Sequence, residues 1–272
     1  MTTTTSHSAT AIRPTTVGFG NLLTSEWTKL RSVRSTYWTT VASTLATVAI
    51  AGLVCGRYVH DFDHMSPGER QADLTNFSLT GVYLAQIAFG TLGVLAISSE
   101  YGTGMIRATL TAVPQRRTML AAKAAVLAAA TIVVGEIISF SAFGLGQAVL
   151  STKHTGVSLG DPGAFRATTG AGLYLAATAM LGFGLGALIR HTAGALSALF
   201  GLLYAGTAVI DLLPTDWRNK LINYMPVNAG SQVLAVQHTP GALGAWTGFG
   251  VFLCYAVAAM IGALLLINHR DA

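Results

Sequence analysis

The densest polar feature of the sequence is SSEYGTGMIRATLTAVPQRRTMLAAK, which runs from Ser98 to Lys123 between two apolar stretches. A serine at its start can cap a helix whose first turn contains Glu100, because the helix dipole favours a carboxylate there. Gly102 and Gly104 permit a sharp bend, and Pro114 followed by two arginines marks the return into apolar sequence. A short helix held beside a membrane can act as a contact that another protein moves. The same basic residues could instead only anchor a helix end.

The sequence contains no Walker A phosphate-binding loop. In that motif glycine stands immediately before the lysine, because the backbone amides of the loop cradle the phosphate that the lysine reaches. The only lysines are Lys29, Lys123, Lys153 and Lys220, and the residues before them are Thr28, Ala122, Thr152 and Asn219. We therefore expect that this chain binds no ATP, needs no cofactor and is not an enzyme.

Glu136 is an acidic residue that lies deep in an apolar stretch. A charge at bilayer depth costs ~2.5–3.5 kcal/mol on insertion scales, so such a group is usually protonated, paired or turned towards the protein interior. Glu136 could line a transport pathway or carry a coupled proton. Alternatively, it is a protonated or hydrogen-bonded group between helices near Ser139 and Ser141.

Metal-ligand residue types are concentrated in the run His60-Asp61-Phe62-Asp63-His64. Histidines spaced i, i+4 would share one face of a helix. However, the neighbouring charges indicate a solvated loop, and we expect no metal site there. The two cysteines fall in apolar stretches, which favours small packing residues over a disulfide or a zinc site.

The composition is typical of a membrane protein. Hydrophobic residues make up 52% of the 272 residues and charged residues 10%, whereas soluble domains carry roughly 25% charged residues. Six apolar stretches come close to the ~20 residues that cross the hydrocarbon core as a helix, at about 38–56, 79–98, 119–150, 170–189, 193–213 and 245–267. Because backbone polar groups must be paired within lipid, we predict an all-α integral membrane protein. Residues 1–18, rich in Thr and Ser, predict a disordered cytoplasmic tail ahead of a permease-like body at 19–272.

The positions of lysine and arginine predict the orientation. Of the 16 lysines and arginines, the larger share falls on the side that carries both termini, and the contrast is sharpest close to the helix ends. We therefore expect a multi-pass protein with both termini in the cytoplasm. Since the basic residues stand beside apolar segments, the net charge of +5 indicates membrane topology and no nucleic-acid partner.

Residues 19–34 have the pattern of an amphipathic helix before the first crossing. Apolar residues recur at helical spacing, while the charged residues occupy other faces. Such a helix lies in the membrane interface of the lipid bilayer, with its Trp at headgroup level and its cations on lipid phosphates. The alternative is a basic flank that only sets topology. The residues concerned are Glu26, Trp27, Lys29, Arg31 and Arg34.

Glycine and proline predict two further features. Gly182 and Gly186 form a small-xxx-small pair, and the short connection after Ile189 predicts a tight hairpin of the fourth and fifth transmembrane helices. Outside the membrane, residues 214–226 and 228–237 predict two short helices that fold back towards the membrane surface. A plain extracellular loop is the alternative.

Two segments together resemble a known family. SEWTKLRSVRSTYW at Ser25–Trp38 and SSEYGTGMIRATLTAVPQRR at Ser98–Arg117 are similar to the permease subunits of type-2 ABC exporters, the class that includes drug, antibiotic and polysaccharide exporters. The similarity is strongest to actinobacterial members. The six-helix layout and LPTDWRNKLINYMPVNAG at Leu213–Gly230 extend it over nearly the whole chain.

The resemblance implies partners and a site. In that family the amphipathic helix and the first cytoplasmic loop contact a separate ABC ATPase subunit, so Glu26–Arg34 would be the connecting helix. The coupling segment would comprise Glu100, Tyr101, Gly102, Gly104, Arg107, Arg116 and Arg117. Two permease subunits, identical or paralogous, and two ATPases would form an exporter in a bacterial plasma membrane. A stand-alone secondary transporter or channel that uses Glu136 is the alternative.

Overall fold

The computed structural model describes residues 18–102, 116–237 and 239–266. Within these ranges every regular element is helical, and six helices are long and apolar enough to span a membrane. The prediction of an all-α protein with six spans is therefore confirmed. Helices are the expected form because lipid offers no partner to an unpaired backbone N–H or C=O group.

The described part of the chain forms six spans and several shorter helices. In chain order the helices are α1 (Phe19–Ser32), α2 (Arg34–Asp61), α3 (Leu74–Leu79), α4 (Val82–Gly102), α5 (Arg116–Leu150), α6 (Ala164–Ile189), α7 (Thr192–Asp211), α8 (Thr215–Leu221), α9 (Pro226–Ser231) and α10 (Ala245–Leu266). The spans are α2, α4, α5, α6, α7 and α10. One π-helical turn, Gly201–Ala205, interrupts α7.

α6 is the centre of the bundle. It packs along α4, α5 and α10, and its large side chains Tyr174 and Phe183 are fully buried. α2 packs on α5 and α4 and leaves Leu45 and Leu53 exposed on its other face. α6 is therefore the interior helix of the bundle, and α2 presents its outer apolar face to lipid.

The small residues of α6 make a different contact from the predicted hairpin. A Cβ on Gly182 would collide with the carbonyl oxygen of Gly90, and one on Gly186 would lie 2.8 Å from Cγ2 of Ile97. Both glycines thus face α4, and their missing side chains let the α4 and α6 backbones approach. α7 does follow α6 after a turn at Arg190 and packs against it. The hairpin follows from the short connection, and the glycine pair serves the contact with α4.

The connection between α7 and α10 is exposed in its first part and buried in its second. No residue of α8 is buried, whereas α9 packs on α10 and α6 and buries Pro226, Ala229 and Gly230. Pro226 begins α9 at a position where its missing N–H costs nothing, so this short helix starts two residues before the predicted residue 228. α9 inserts because Gly230 has no side chain: a Cβ there would lie 2.5 Å from Cε2 of Tyr174.

Candidate functional site

α1 and α2 are separate helices joined at a single extended residue. Val33 has φ −82° and ψ 104°, so α1 ends at Ser32 and α2 starts at Arg34. Leu22 of α1 is buried, and Leu30 packs against a cluster of buried side chains from α4, α5, α6 and α10. Trp27 is 46% exposed. α1 therefore rests on the bundle by one apolar face, as its sequence pattern predicts.

A buried cluster of four charged side chains connects α1 to the ends of α4 and α5. Nζ of Lys123 on α5 lies 2.6 Å from Oε2 of Glu26 and 2.7 Å from Oε1 of Glu100. Nζ of Lys29 lies 2.7 Å from Oε1 of Glu26 and 3.4 Å from Oε1 of Glu100. We call these four residues the ionic cluster. Two positive and two negative charges alternate in it, so each lysine joins two carboxylates.

Burial makes the ionic cluster a structural connection and not a surface contact. Glu26, Glu100 and Lys123 are 6%, 5% and 7% exposed, and the Lys29 side chain is 35% exposed. Burial alone would raise the pKa of Glu26, but hydrogen bonds and charges from Lys123 and Lys29 outweigh it and hold that pKa below its ordinary value. Burial would lower the pKa of Lys29, yet Glu26 and Glu100 raise it above its ordinary value. The two α1 groups are therefore ionised across the neutral pH range.

The end of α4 also contacts the turn between α6 and α7. The guanidinium of Arg190 lies 5.2 Å from the ring centroid of Tyr101, within reach of a cation–π interaction. Oγ1 of Thr192 donates a hydrogen bond of 3.0 Å to Oγ of Ser98. The last turn of α4 is thus held by α1 and α5 on one side and by the α6–α7 turn on the other.

The structure changes two expectations about this region. α4 continues without a break from Ser98 through Glu100 to Gly102, so Glu100 lies in the last turn of a span and not in the first turn of a new helix. Lys29 was expected on lipid phosphates, but its ammonium group pairs with Glu26 and Glu100 instead. The second difference arises because the two carboxylates offer Lys29 a partner inside the protein.

The remaining predicted residues are distributed as follows. Arg31 and Arg34 are exposed near the α1–α2 junction, and Arg117 is exposed at the start of α5. Arg116 is the first residue of α5. Gly104, Arg107 and residues 1–17 of the predicted tail lie outside the described residues. Lys123 was considered only as a helix anchor. Lys123 stands in the apolar run AAKAAV, with no charged residue beside it in the sequence. This isolation is the signal that could have predicted a buried partner.

Glu136 lies on α5 away from the ionic cluster, at a close crossing with α6. A Cβ on Gly172 of α6 would be 2.7 Å from Oε1 of Glu136, and one on Gly135 would be 2.6 Å from the carbonyl oxygen of Gly172. Oγ of Ser139 donates to the backbone oxygen of Glu136, not to its carboxyl group. Among the described residues, Oε2 of Glu136 has no hydrogen-bond partner. A role for Glu136 in a pathway stays a prediction.

The polar residues at the opposite end of the bundle pair with one another. Nζ of Lys153 lies 2.7 Å from Oδ2 of Asp63, and Nε of Arg57 lies 2.6 Å from Oδ2 of Asp61. In the described ranges no three His, Cys, Asp or Glu side chains are grouped as metal ligands would be. The run from His60 to His64 therefore supplies charge pairs and turns.

One pentapeptide between α5 and α6 has the spacing of a hydrolase nucleophile elbow. GVSLG at 156–160 matches GxSxG, a motif that requires a sharp turn from a strand into a helix. Here it lies in a loop after a helical turn, Ser158 is exposed, and the backbone N–H of Ser158 donates to Asp161. The segment is an ordinary side-chain-stabilised loop.

Comparison with known families matches most of this architecture. A profile described as ABC-2 family transporter protein matches residues 22–207, which include nearly all of α1, the whole ionic cluster and the spans α2, α4, α5 and α6. The chain belongs to this family. The protein is therefore a multi-pass membrane permease of an ABC transporter, and it is a membrane subunit that is not itself catalytic. No curated protein sequence matches the chain.

Membership of this family implies partnership with an ABC ATPase. In the described structure the ionic cluster joins α1 to the spans α4 and α5.

Proposed function

We propose that this ABC-2 permease forms half of the pathway of an ATP-driven exporter, and that its ionic cluster transmits motion from a separate ATPase subunit to the spans. The observation that carries the proposal is the set of contacts of Lys123 with Glu26 and Glu100. These contacts join α1 to both helices that border residues 103–115. A push on α1 or on that segment would reach α4 and α5 together.

The strength of the cluster supports this role. Separating one partner from a buried ion pair leaves an uncompensated charge and costs ~3–5 kcal/mol. A ligand must favour one conformation by about 5.5 kcal/mol to move a two-state equilibrium from 1:99 to 99:1. The free energy needed to separate the cluster is therefore close to the free energy that such a switch needs. The cluster would stay intact during most of the movement, so α1, α4 and α5 would move as one body.

The contact surface for the ATPase would lie beside the cluster. Arg31, Arg34 and Arg117 are exposed at this end of the bundle, and the distribution of lysine and arginine predicts that this end is cytoplasmic. We expect an acidic patch on the ATPase, because complementary charge selects partners and speeds their encounter. Glu100 would be a positioning residue that fixes the end of α4, the helix that precedes residues 103–115. A second permease subunit would complete the pathway.

The test combines co-purification with a charge reversal and a matched control. The chain is purified in mild detergent from its native membranes, and bound P-loop ATPase is quantified by mass spectrometry. We expect the double variant Arg31→Glu, Arg117→Glu to bind at least about tenfold less ATPase than the wild-type chain binds, since like charges at an interface cost several kcal/mol. Arg218→Glu, on the exposed helix α8 at the other end of the bundle, should retain it.

Two results would contradict the proposal. One is that no P-loop ATPase accompanies the wild-type chain. The other is equal retention of the ATPase by the double reversal and the Arg218→Glu control. Cysteine labelling from outside intact cells at position 117 gives an independent check, because an accessible residue there would place the contact surface on the wrong side of the membrane.

A further inference from the structure

The span α7 contains one turn whose hydrogen bonds reach one residue further than those of an α-helix. The backbone N–H of Gly206 donates to the carbonyl oxygen of Gly201, five residues earlier, and the π-helical turn occupies Gly201–Ala205. An α-helix bonds each N–H to the residue four places earlier, so a π turn contains one extra residue. Single turns of this kind are rare and frequently mark functional positions. The extra residue must therefore be stabilised by contacts that an α-helix at this place would not make.

One side chain of the π turn is bound by a buried amide on α4. Nε2 of Gln86 donates a hydrogen bond of 2.6 Å to Oη of Tyr204, and Oε1 of Gln86 accepts a hydrogen bond from Oη of Tyr174 on α6. Gln86 and Tyr174 are 1% and 0% exposed. Because Tyr174 is fully buried, its O–H group needs this acceptor, and the Gln86 amide is thereby oriented with its N–H group towards Tyr204. The π turn is thus tied to α4 and α6 through Tyr204.

A threonine just after the turn lacks the hydrogen bond that other threonines in the spans make. Oγ1 of Thr131, Thr168 and Thr178 each donates to the backbone oxygen four residues earlier. Oγ1 of Thr207 is buried and has no hydrogen-bond partner among the described residues. The corresponding acceptor would be the backbone oxygen of Leu203, which lies inside the π turn. An α-helical turn at this place would bring that oxygen within reach, because a helical threonine can bond the carbonyl of residue i−4.

The π form and an α form of this turn therefore exchange one hydrogen bond for another. The π form has the bond between Gln86 and Tyr204, and the α form would have the bond between Thr207 and the backbone of Leu203. One hydrogen bond changes an equilibrium constant by roughly three- to tenfold. Because each form gains one bond that the other lacks, the two contributions largely offset each other, and the two forms are close in free energy.

The packing of α7 differs on the two sides of the turn. Before the turn, Leu199 is buried, and a Cβ on Gly90 of α4 would lie 2.7 Å from its Cδ2 atom. After the turn, residues 206–211 pack mainly on α8 and on the helical turn that follows α8, and Val209 is 60% exposed. The part of α7 after the turn can therefore rotate while the part before it stays on α4.

We propose that α7 has two registers, and that Gln86 is the positioning residue that selects the π register. In the α register each residue after the turn would take the orientation that its successor has now, a rotation of about 100°. Val209 would then turn into the bundle, and Ile210, which is 7% exposed, would turn outwards. α8 follows α7 after a short connection, so it would move with this rotation. Two registers give this end of the span two discrete positions, as a switching element requires. The device lies at the end of α7 away from the ionic cluster and operates whether or not an ATPase binds.

The experiment measures how fast single cysteines near the end of α7 react with N-ethylmaleimide, with the full-length chain in lipid vesicles. Val209→Cys and Ile210→Cys are made separately in a chain that carries Cys254→Ala, because Cys254 is exposed and Cys55 is buried. Position 209 is accessible in the π register, and position 210 would be accessible in the α register. The ratio of the 209 rate to the 210 rate therefore reports the balance of the two registers, and we expect it to exceed one in the otherwise unchanged chain.

Two substitutions with opposite expected effects test the balance. Tyr204→Phe removes the hydrogen bond of the π register, so the rate ratio should fall by roughly three- to tenfold. Thr207→Val removes the hydroxyl group that favours the α register, so the ratio should rise by a similar factor. The double variant should return to the original ratio, which a loss of packing alone would not produce. The matched control is Tyr58→Phe, which removes a hydroxyl group that donates to a backbone oxygen elsewhere and should leave the ratio unchanged.

Three outcomes would overturn the proposal. An unchanged ratio in Tyr204→Phe would mean that the bond from Gln86 does not hold the register. A double variant with the same ratio as Tyr204→Phe would remove Thr207 from the balance. Faster labelling at both positions in Tyr204→Phe would show that the end of α7 unfolds locally and does not change register.

Discussion

Replacing Lys123 with methionine should destabilise the protein strongly, although the two side chains have similar lengths. Lys123 is 7% exposed and its ammonium lies within 2.7 Å of a carboxylate oxygen of both Glu26 and Glu100. Without it, Lys29 alone faces two buried carboxylates, and Glu26 keeps a partner on one oxygen only. Removing one partner from a buried ion pair costs ~3–5 kcal/mol, and we expect a loss of that size.

The matched control is the same substitution in an exposed pair. Nζ of Lys153 lies 2.7 Å from Asp63, whose side chain is 69% exposed. Water solvates the remaining Asp63 carboxylate after Lys153→Met, so the free energy of unfolding should not change measurably. The assay is unfolding in mixed detergent micelles, with the free energy of unfolding measured for wild type and both variants.

A double-mutant cycle then separates the ion pair from general disturbance of the core. Lys123→Met combined with Glu100→Gln should lose less than the sum of the two single losses, with a coupling energy above about 1 kcal/mol, because the two residues are in contact. If Lys123→Met is as stable as Lys153→Met, or if the cycle shows strict additivity, the ionic cluster does not hold α1 to the bundle and the reasoning fails.

The other predictions concern the helix crossing and pH. Gly182→Val should lower the free energy of unfolding by ~1–3 kcal/mol through overpacking against Gly90 of α4. Gly144→Val, where nothing lies within 4 Å of a Cβ, should lower it much less. Equal melting temperatures of the two variants would contradict this packing. The stability difference between wild type and Glu26→Gln should be constant at neutral pH and shrink as pH falls below the ordinary Glu pKa of 4.5. The reason is that a carboxyl group whose pKa is lowered by folding stabilises the folded state fully above its ordinary pKa and loses this effect as pH falls through the lowered pKa. For Lys29→Gln, whose folded-state pKa is raised, the difference should shrink as pH rises above 10.5. A pH-independent difference for either variant would exclude the pairing.

The number and type of the spans followed from the sequence alone. Apolar stretches long enough to cross a bilayer leave no choice but helix, since each backbone group must pair within its own segment in lipid. The position of α1 ahead of the first span followed from its apolar spacing in the same way, although the extended residue Val33 that separates it from α2 did not. The lack of a Walker A motif is likewise a property of local sequence.

The candidate site was only half predicted. Glu26, Lys29 and Glu100 were identified, but the charges on α1 were interpreted as facing lipid headgroups, and Lys123 as a helix anchor. Lys29 and Glu100 are 71 residues apart in sequence, and no periodicity connects them. Their pairing exists because α1 packs across the ends of α4 and α5. Glu26, Lys29 and Glu100, each considered alone, are equally consistent with an exposed position.

The sequence by itself therefore determined local properties: which segments are apolar and long enough to span a membrane, and that an amphipathic helix precedes the first of them. The tertiary structure decided the contacts. It placed Gly182 against α4 and not α7, buried α9 by means of Gly230, and assembled the ionic cluster. The physical reason is that burial and pairing depend on what lies opposite a side chain, and only packing between distant segments determines that.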